Sequence, residues 1–299
     1  MTVRGTKGGD GRPGVVWAAP ALVYFIGLGL VPMILVLGLS FCSWNGLGNP
    51  HWIGLGNWHR LAGDRMLVTA LGVTAELSAV TWFVQTLICL PLGVWCAGPQ
   101  RLRAVLSTVF FIPLLMSSAA IALLFGALLD PNFGLAATIG PWLGVADGNF
   151  IGRPDLAIWA VMFVITWQFV PFHTLLYQAA ARQIPMVLYE AATVDGAGRW
   201  RQFRSVTLPQ LRNTIVTSSV LMLVGSLTYF DIVLLLTGGG PGTATRTLPL
   251  YMYLTGFSSF DMGYASVLAT LLLITGTALS LLVVRVTGFR RMTSEREGL

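Results

Sequence analysis

A chain of 299 residues with 55% hydrophobic and only 10% charged residues cannot be dressed as a water-soluble globule, since soluble domains carry about 25% charged residues. Its net charge of +6 comes from seventeen arginines and one lysine, set in short clusters between apolar runs. Cations placed that way orient a chain in a bilayer, and no basic-plus-aromatic motif invites nucleic acid.

Residues 1–14 are polar and basic (Arg4, Lys7, Arg12) and read as a cytoplasmic stub. The first apolar run, Val15–Leu39, lacks a cleavage signature and reads as a retained span, not a signal peptide. Five more runs are long enough to cross the hydrocarbon core as helices: Leu67–Ala97, Ala104–Leu129, Leu156–Ala181, Ile215–Leu236 and Ala265–Val284. The expectation is an all-α polytopic membrane protein of about six transmembrane helices, its permease domain covering 15–286 and a cytoplasmic tail covering 287–299. Prolines 32, 91, 113 and 171 fall inside these runs, which membrane helices tolerate when neighbours satisfy the freed carbonyls. With both termini in the cytoplasm, fourteen basic residues lie inside and four outside, a clear positive-inside bias. The loops then placed outside are rich in Gly, Pro, Trp and Asn, and Thr247–Phe260 reads as an interfacial helix leading into the last span.

The longest polar stretch between spans, 182–212, predicts two short helices. Pro185 suits a first helical turn, and Asp195-Gly196 is a turn or C-cap pair. Trp200, Phe203 and Val206 share one side of the second helix, which Pro209 ends. Small residues at the corner, Ala191, Ala192 and Gly196, suit close docking of another surface.

Glu190-Ala191-Ala192, three residues, Gly196, nine residues, Val206, one residue, Leu208-Pro209 resembles the EAA motif of binding-protein-dependent ABC importer permeases, with Val206 where isoleucine is usual. Trp44-Asn45, Ile53 through Trp58, Thr237 through Gly242 and Phe260 through Ala265 resemble loops of the carbohydrate branch (the maltose and glycerol-3-phosphate type) in matching order. The resemblance implies a type I ABC importer transmembrane domain in a bacterial inner membrane. It makes 182–212 a coupling loop in which Glu190, Ala191, Ala192, Asp195, Gly196, Trp200, Phe203 and Pro209 meet an ATPase. It also implies partners: a second homologous permease, two copies of a cytoplasmic ATPase, and an extracytoplasmic solute-binding protein or lipoprotein.

Polar groups inside spans are few: Glu76, Gln85, Gln168, His173 and Asp231. Such groups are functional candidates by default. Position by position, the resemblance to the maltose permease implies a solute pathway lined by Leu114, Ser118, Gln168, Phe169, Phe172, Ser226 and Tyr229. Asp231 joins them by chemistry, since sugars need hydroxyl, amide or carboxylate groups beside aromatic faces. Asp231 could instead pair with Arg246 or cap loop amides, and Glu76 and His173 could simply bond across helices.

No catalytic residue is expected, because His51, His59 and His173 are scattered and no nucleophile–base set converges. Cys42, Cys89 and Cys96 form no ligand set, so no metal is expected. The chain has no phosphate-binding glycine loop, so ATP and Mg would sit on partner subunits and no cofactor on this chain. The expected solute is a sugar or related polar molecule, with glycerol-3-phosphate or a glycerophosphodiester as the alternative. An ion-coupled secondary transporter is the different-class alternative; it would show inverted repeats and broken helices, and no repeat is present.

Overall fold

The computed structural model describes residues 18–98 and 108–287. The basic N-terminal stub, Arg101, Arg103, the start of the expected third span and the tail from 288 lie outside the described residues. The described residues are mostly helical. Its longer elements are α1 (Ala19–Leu39), α2 (Gly56–Ala62), α3 (Arg65–Cys96), α4 (Ser118–Leu128), α5 (Pro154–Ala181), α6 (Met186–Val194), α7 (Arg212–Ser226), α8 (Asp231–Thr237), α9 (Leu248–Tyr253) and α10 (Met262–Thr287). A two-stranded antiparallel ribbon pairs Cys42 with Trp52 and Ser43 with His51, a detail the hydropathy pattern does not announce.

Among the described residues, α1, α3, α5 and α10 are long and apolar enough to cross a membrane, and α7 with α8 makes a fifth crossing if the bent pair is one span. Two expected continuous spans are broken. Within the third, Ile112–Leu115 stops at Met116, whose backbone is extended (ψ 146°). Helix α4 restarts under a Ser117 cap, whose hydroxyl accepts from the amide of Ala120 at 3.2 Å. Serine at that position offers the backbone an alternative to the helical ladder. The fifth breaks between Ser226 and Asp231 with a bend of 49°. There the Thr228 hydroxyl bonds the Gly225 carbonyl at 2.7 Å, and the Ser226 hydroxyl lies 2.7 Å from the Leu223 carbonyl.

Between helices in lipid there is no hydrophobic drive, so packing and side-chain hydrogen bonds must hold the bundle. The tightest pairing is α3 on α5. It depends on Gly93, where an added Cβ would stand 2.6 Å from Tyr177 Cβ and 2.8 Å from the Thr174 carbonyl. The pairing is sealed by Gln178 Nε2 donating to the Cys96 carbonyl at 3.0 Å. Elsewhere Leu77 of α3, Ile121 of α4, Val161 and Ile165 of α5, and Ile232 and Val233 of α8 share one buried core. We expect Gly93→Ala to cost about 1–3 kcal/mol by overpacking, read as a lower Tm in detergent. Gly72→Ala, which meets nothing within 4 Å, should be neutral.

Segment Thr247–Phe260 is largely helical as expected, and Leu248, Pro249 and Leu250 are buried, so α9 packs one face into the bundle against α3 and α10. The amide of Leu248 donates to Thr74 Oγ1 of α3 at 2.8 Å. At the same end, Asp64 caps α3, accepting from the amides of Met66 and Leu67 at 2.8 and 3.2 Å. The same carboxylate accepts from the Tyr251 hydroxyl at 2.6 Å and from the Tyr264 hydroxyl. Burial, the largest single influence, opposes its charge, yet these four donors together hold its carboxyl below the usual range. Arg60 of α2 pairs with Asp261 and lies 4.1 Å from the Tyr264 ring centroid. One small polar cluster thus ties the 40–64 segment to α9 and α10.

Candidate functional site

The break in the fifth span opens a cavity of about 420 Å³. Its walls include Leu114, Ser118, Phe169, Phe172, His173, Thr228, Tyr229, Phe230 and Asp231. Of the residues expected on a solute path, Leu114, Ser118, Phe169, Phe172, Tyr229 and Asp231 are therefore brought together. Phe169 and Tyr229 stack at 5.1 Å between centroids, 30° apart, and Phe172 meets the His173 ring edge-on at 5.1 Å. Flat aromatic faces, a hydroxyl and a carboxylate converge, and no Lys or Arg is among the lining residues.

The other two sit behind the wall. Gln168 is buried (4% exposed), and its Nε2 donates to Ser118 Oγ at 3.1 Å, so it reaches the cavity only through that serine. Ser226 is buried on the far side, its hydroxyl 2.6 Å from Ser78 Oγ of α3. Counting back along a straight span places Ser226 on the path; the break turns it into the packing face. Asp231 makes no ion pair with Arg246, whose Nη1 instead approaches Met66 Sδ at 3.8 Å. His173 bonds across to α7, Nδ1 to Ser218 Oγ at 2.9 Å, and its ring also lines the cavity. Glu76 is exposed on α3. Sequence reasoning misses Thr228 because it lies in the break itself, which no hydropathy pattern shows.

A larger cavity of about 670 Å³ between α3 and α5 is lined by Val80, Val84, Ile88, Trp159, Phe163 and their neighbours, with Thr81 and Thr166 its polar members besides the Trp indoles. It offers a polar solute little to bond and suits lipid chains.

At the 182–212 segment, α6 buries no residue. Met186 and Val187 are each 69% exposed and Val194 is 88% exposed, an apolar surface that calls for a partner. Pro185 is the N-cap, one residue before the first turn where it was expected, with extended ψ of 132°. The helix ends in a tight turn: the amides of Gly196 and Ala197 donate to the carbonyls of Thr193 and Ala192 at 3.0 and 2.8 Å, with Gly196 at φ +73°. Glycine takes that left-handed geometry without cost. Glu190, Ala191, Asp195 and Gly196 are exposed and Ala192 half-buried. Trp200 is exposed and stacks on Phe203 at 5.7 Å, 24° apart. Proline 209 does not end the second helix. The widened turn Phe203–Thr207, closed by the Leu208 amide on the Phe203 carbonyl, leads into Leu208–Gln210, where Pro209 sits at the first turn and needs no amide partner.

A bundle of apolar helices with a broken span beside a polar cavity, and an exposed small-residue corner outside the bundle, defines a membrane transport protein. The broken span alone would fit an ion-coupled transporter as well; kinship decides between them. Residues 89–292 match the family of binding-protein-dependent transport system inner membrane components, and the chain belongs to that family. It is 40% identical over 177 residues to a probable ABC transporter permease of Bacillus subtilis, an alignment covering 58% of this chain and 61% of that one. It is 32% identical to the trehalose/maltose transport system permease of Thermococcus litoralis over 219 residues, 73% of this chain and 74% of that one. A bacterial ABC transporter involved in the import of the acidic polysaccharide alginate shares the fold, with a TM-score of 0.79 over 94% of this chain and 96% of that chain at 24% identity. The protein is thus an ABC permease, a transport subunit.

Proposed function

We propose that this chain forms part of the path by which a neutral mono- or oligosaccharide, released by an extracytoplasmic binding protein, enters the cytoplasm. The observation that carries the reading is the cavity at the broken fifth span. It joins stacked Phe169 and Tyr229 to Ser118 and Asp231 with no Lys or Arg among its lining residues. Kinship to a trehalose/maltose permease supports the same solute class. In this reading a second permease completes the path. Two ATPases outside this chain bind ATP and Mg and drive it through the 182–212 segment, with α6 seated in a cleft of one of them. The exposed Met186, Val187, Val194 and Trp200 would be covered there.

The orientation follows from the fourteen-to-four distribution of basic residues, which puts both termini and α6 in the cytoplasm. In whole cells, an impermeant thiol reagent should label Gly48→Cys and Trp142→Cys and spare Gly198→Cys. Labelling of all three from one side would discard the topology. Uptake by the reconstituted complex tests the solute, with maltotriose against glycerol-3-phosphate. Transport of the phosphate ester alone would replace the sugar reading by its alternative.

A further inference from the structure

His173 has two ring nitrogens, and packing uses one of them. Nδ1 lies 2.9 Å from Ser218 Oγ on α7, a fully buried hydroxyl that also neighbours the Tyr177 hydroxyl of α5. That bond ties α5 to α7, an ordinary use of histidine between membrane helices. It also fixes the ring, which meets Phe172 edge-on with the planes 82° apart. Nε2 has no hydrogen bond among the described residues, yet it is not one of the fully enclosed polar atoms, unlike Gln168 Oε1. The residue is 3% exposed and lines the cavity at the broken fifth span. The small open surface of the imidazole therefore belongs to the cavity. A ring nitrogen left bare inside a bilayer is costly unless something polar meets it.

We propose that His173 is a solute ligand whose Nε2 bonds a sugar hydroxyl from the α5 wall of the cavity, while Asp231 bonds another from α8. The inference rests on the reading of this cavity as the solute site. A sugar hydroxyl both donates and accepts, so it complements Nε2 in either tautomer of the ring. Because Ser218 holds Nδ1, the ring cannot turn to follow a misplaced hydroxyl. His173 then selects the solute by where its hydroxyls stand, and the stacked Phe169 and Tyr229 accept any sugar face.

Two amide side chains copy the two nitrogens separately. An asparagine amide stands where Nδ1 stands, and a glutamine amide reaches the place of Nε2. Maltotriose uptake is measured in proteoliposomes holding the assembled complex, at saturating binding protein, for wild type, His173→Asn, His173→Gln and Ser218→Ala. The Tm of each complex is measured in detergent. His173→Asn keeps the Ser218 bond and should keep the Tm, yet lose uptake about tenfold, as for one hydrogen bond to the solute. His173→Gln and Ser218→Ala lose the tie between helices. They should lower the Tm and keep uptake within about twofold of wild type.

The reverse order, with uptake kept by His173→Asn and lost by His173→Gln, overturns the proposal and leaves the histidine as a tie between α5 and α7. Equal uptake in the two variants, at any level, overturns it as well. If His173→Asn fails to assemble, carbethoxylation of His173 by diethyl pyrocarbonate in the wild-type complex, read by peptide mass, carries the comparison. Maltotriose-loaded binding protein should slow that reaction about fivefold relative to empty binding protein, and equal rates overturn the ligand role. Asp231→Asn separates the two readings. If it loses maltotriose uptake while both His173 variants keep it, the histidine alone fails; if it too keeps uptake, the cavity as solute site fails with it.

Discussion

Gly196→Trp is expected to leave the chain in the membrane and abolish transport. Within this chain a side chain added at Gly196 meets open space, with no other group within 4 Å of its Cβ. The internal penalty is therefore confined to the φ of +73°, about 1–2 kcal/mol for a residue other than glycine. Gly196→Ala shares that penalty without the bulk and should keep most of the uptake. The indole of Gly196→Trp must instead fit between α6 and whatever docks on it. Glu190→Lys attacks the same surface through charge, on a residue that is exposed on α6. For both we expect uptake and solute-stimulated ATP hydrolysis by the assembled complex to fall by about two orders of magnitude, equivalent to about 2.8 kcal/mol. Wild-type uptake in both variants would remove α6 from the coupling path.

The second large effect is expected at Asp231. A neutral polyol gains hydrogen bonds from this carboxylate, whereas a phosphate ester held beside it would be repelled and would find no Lys or Arg among the lining residues. Asp231→Asn removes a charged acceptor. Maltotriose uptake by the reconstituted complex should fall about tenfold, as for the loss of one hydrogen bond of about 1.4 kcal/mol. Gln168→Ala should fall less, about two- to threefold, because the amide only orients Ser118 through a 3.1 Å bond. Uptake of glycerol-3-phosphate that rises in Asp231→Asn while maltotriose uptake stays unchanged would show that the cavity is built for anions.

The spans are legible in the sequence because a bilayer imposes one crude requirement, about 20 apolar residues, and the runs ending in α1, α3, α5 and α10 meet it without interruption. The corner at Gly196 is legible because its chemistry is local: a glycine where φ is positive, flanked by small residues. The breaks are not. Ser226 through Phe230 gives no polar run to mark a stop, and what accompanies the end of the helix is a pair of hydroxyls turned onto carbonyls 2.7 Å away. Serine and threonine do this in one context and sit harmlessly in the next, as Thr74, Ser78 and Thr81 do along α3. With the break hidden, Ser226 falls on the wrong face. The inward role of α9 is hidden for a related reason: Leu248 and Leu250 look the same whether they face lipid or a core, and the Thr74–Leu248 bond that draws them in joins residues far apart in sequence.

The interrupted fifth span has a chemical consequence at the cavity. A helix that stops at Ser226 and begins again at Asp231 has a pair of main-chain ends where a continuous rod would have none; the Ser226 and Thr228 hydroxyls meet the Leu223 and Gly225 carbonyls, which leaves the first amides of the restarted helix outside the repeating ladder. In a medium without water, groups of that kind are costly unless something polar meets them. Sugar hydroxyls, each both donor and acceptor, are suited to that role. Part of the affinity would then reside in the peptide backbone, in atoms that every amino acid supplies alike. Stripping the wall to alanine one side chain at a time would therefore leave a floor of binding that no point substitution lowers, and permeases with quite different residues around the same break would still hold a sugar there.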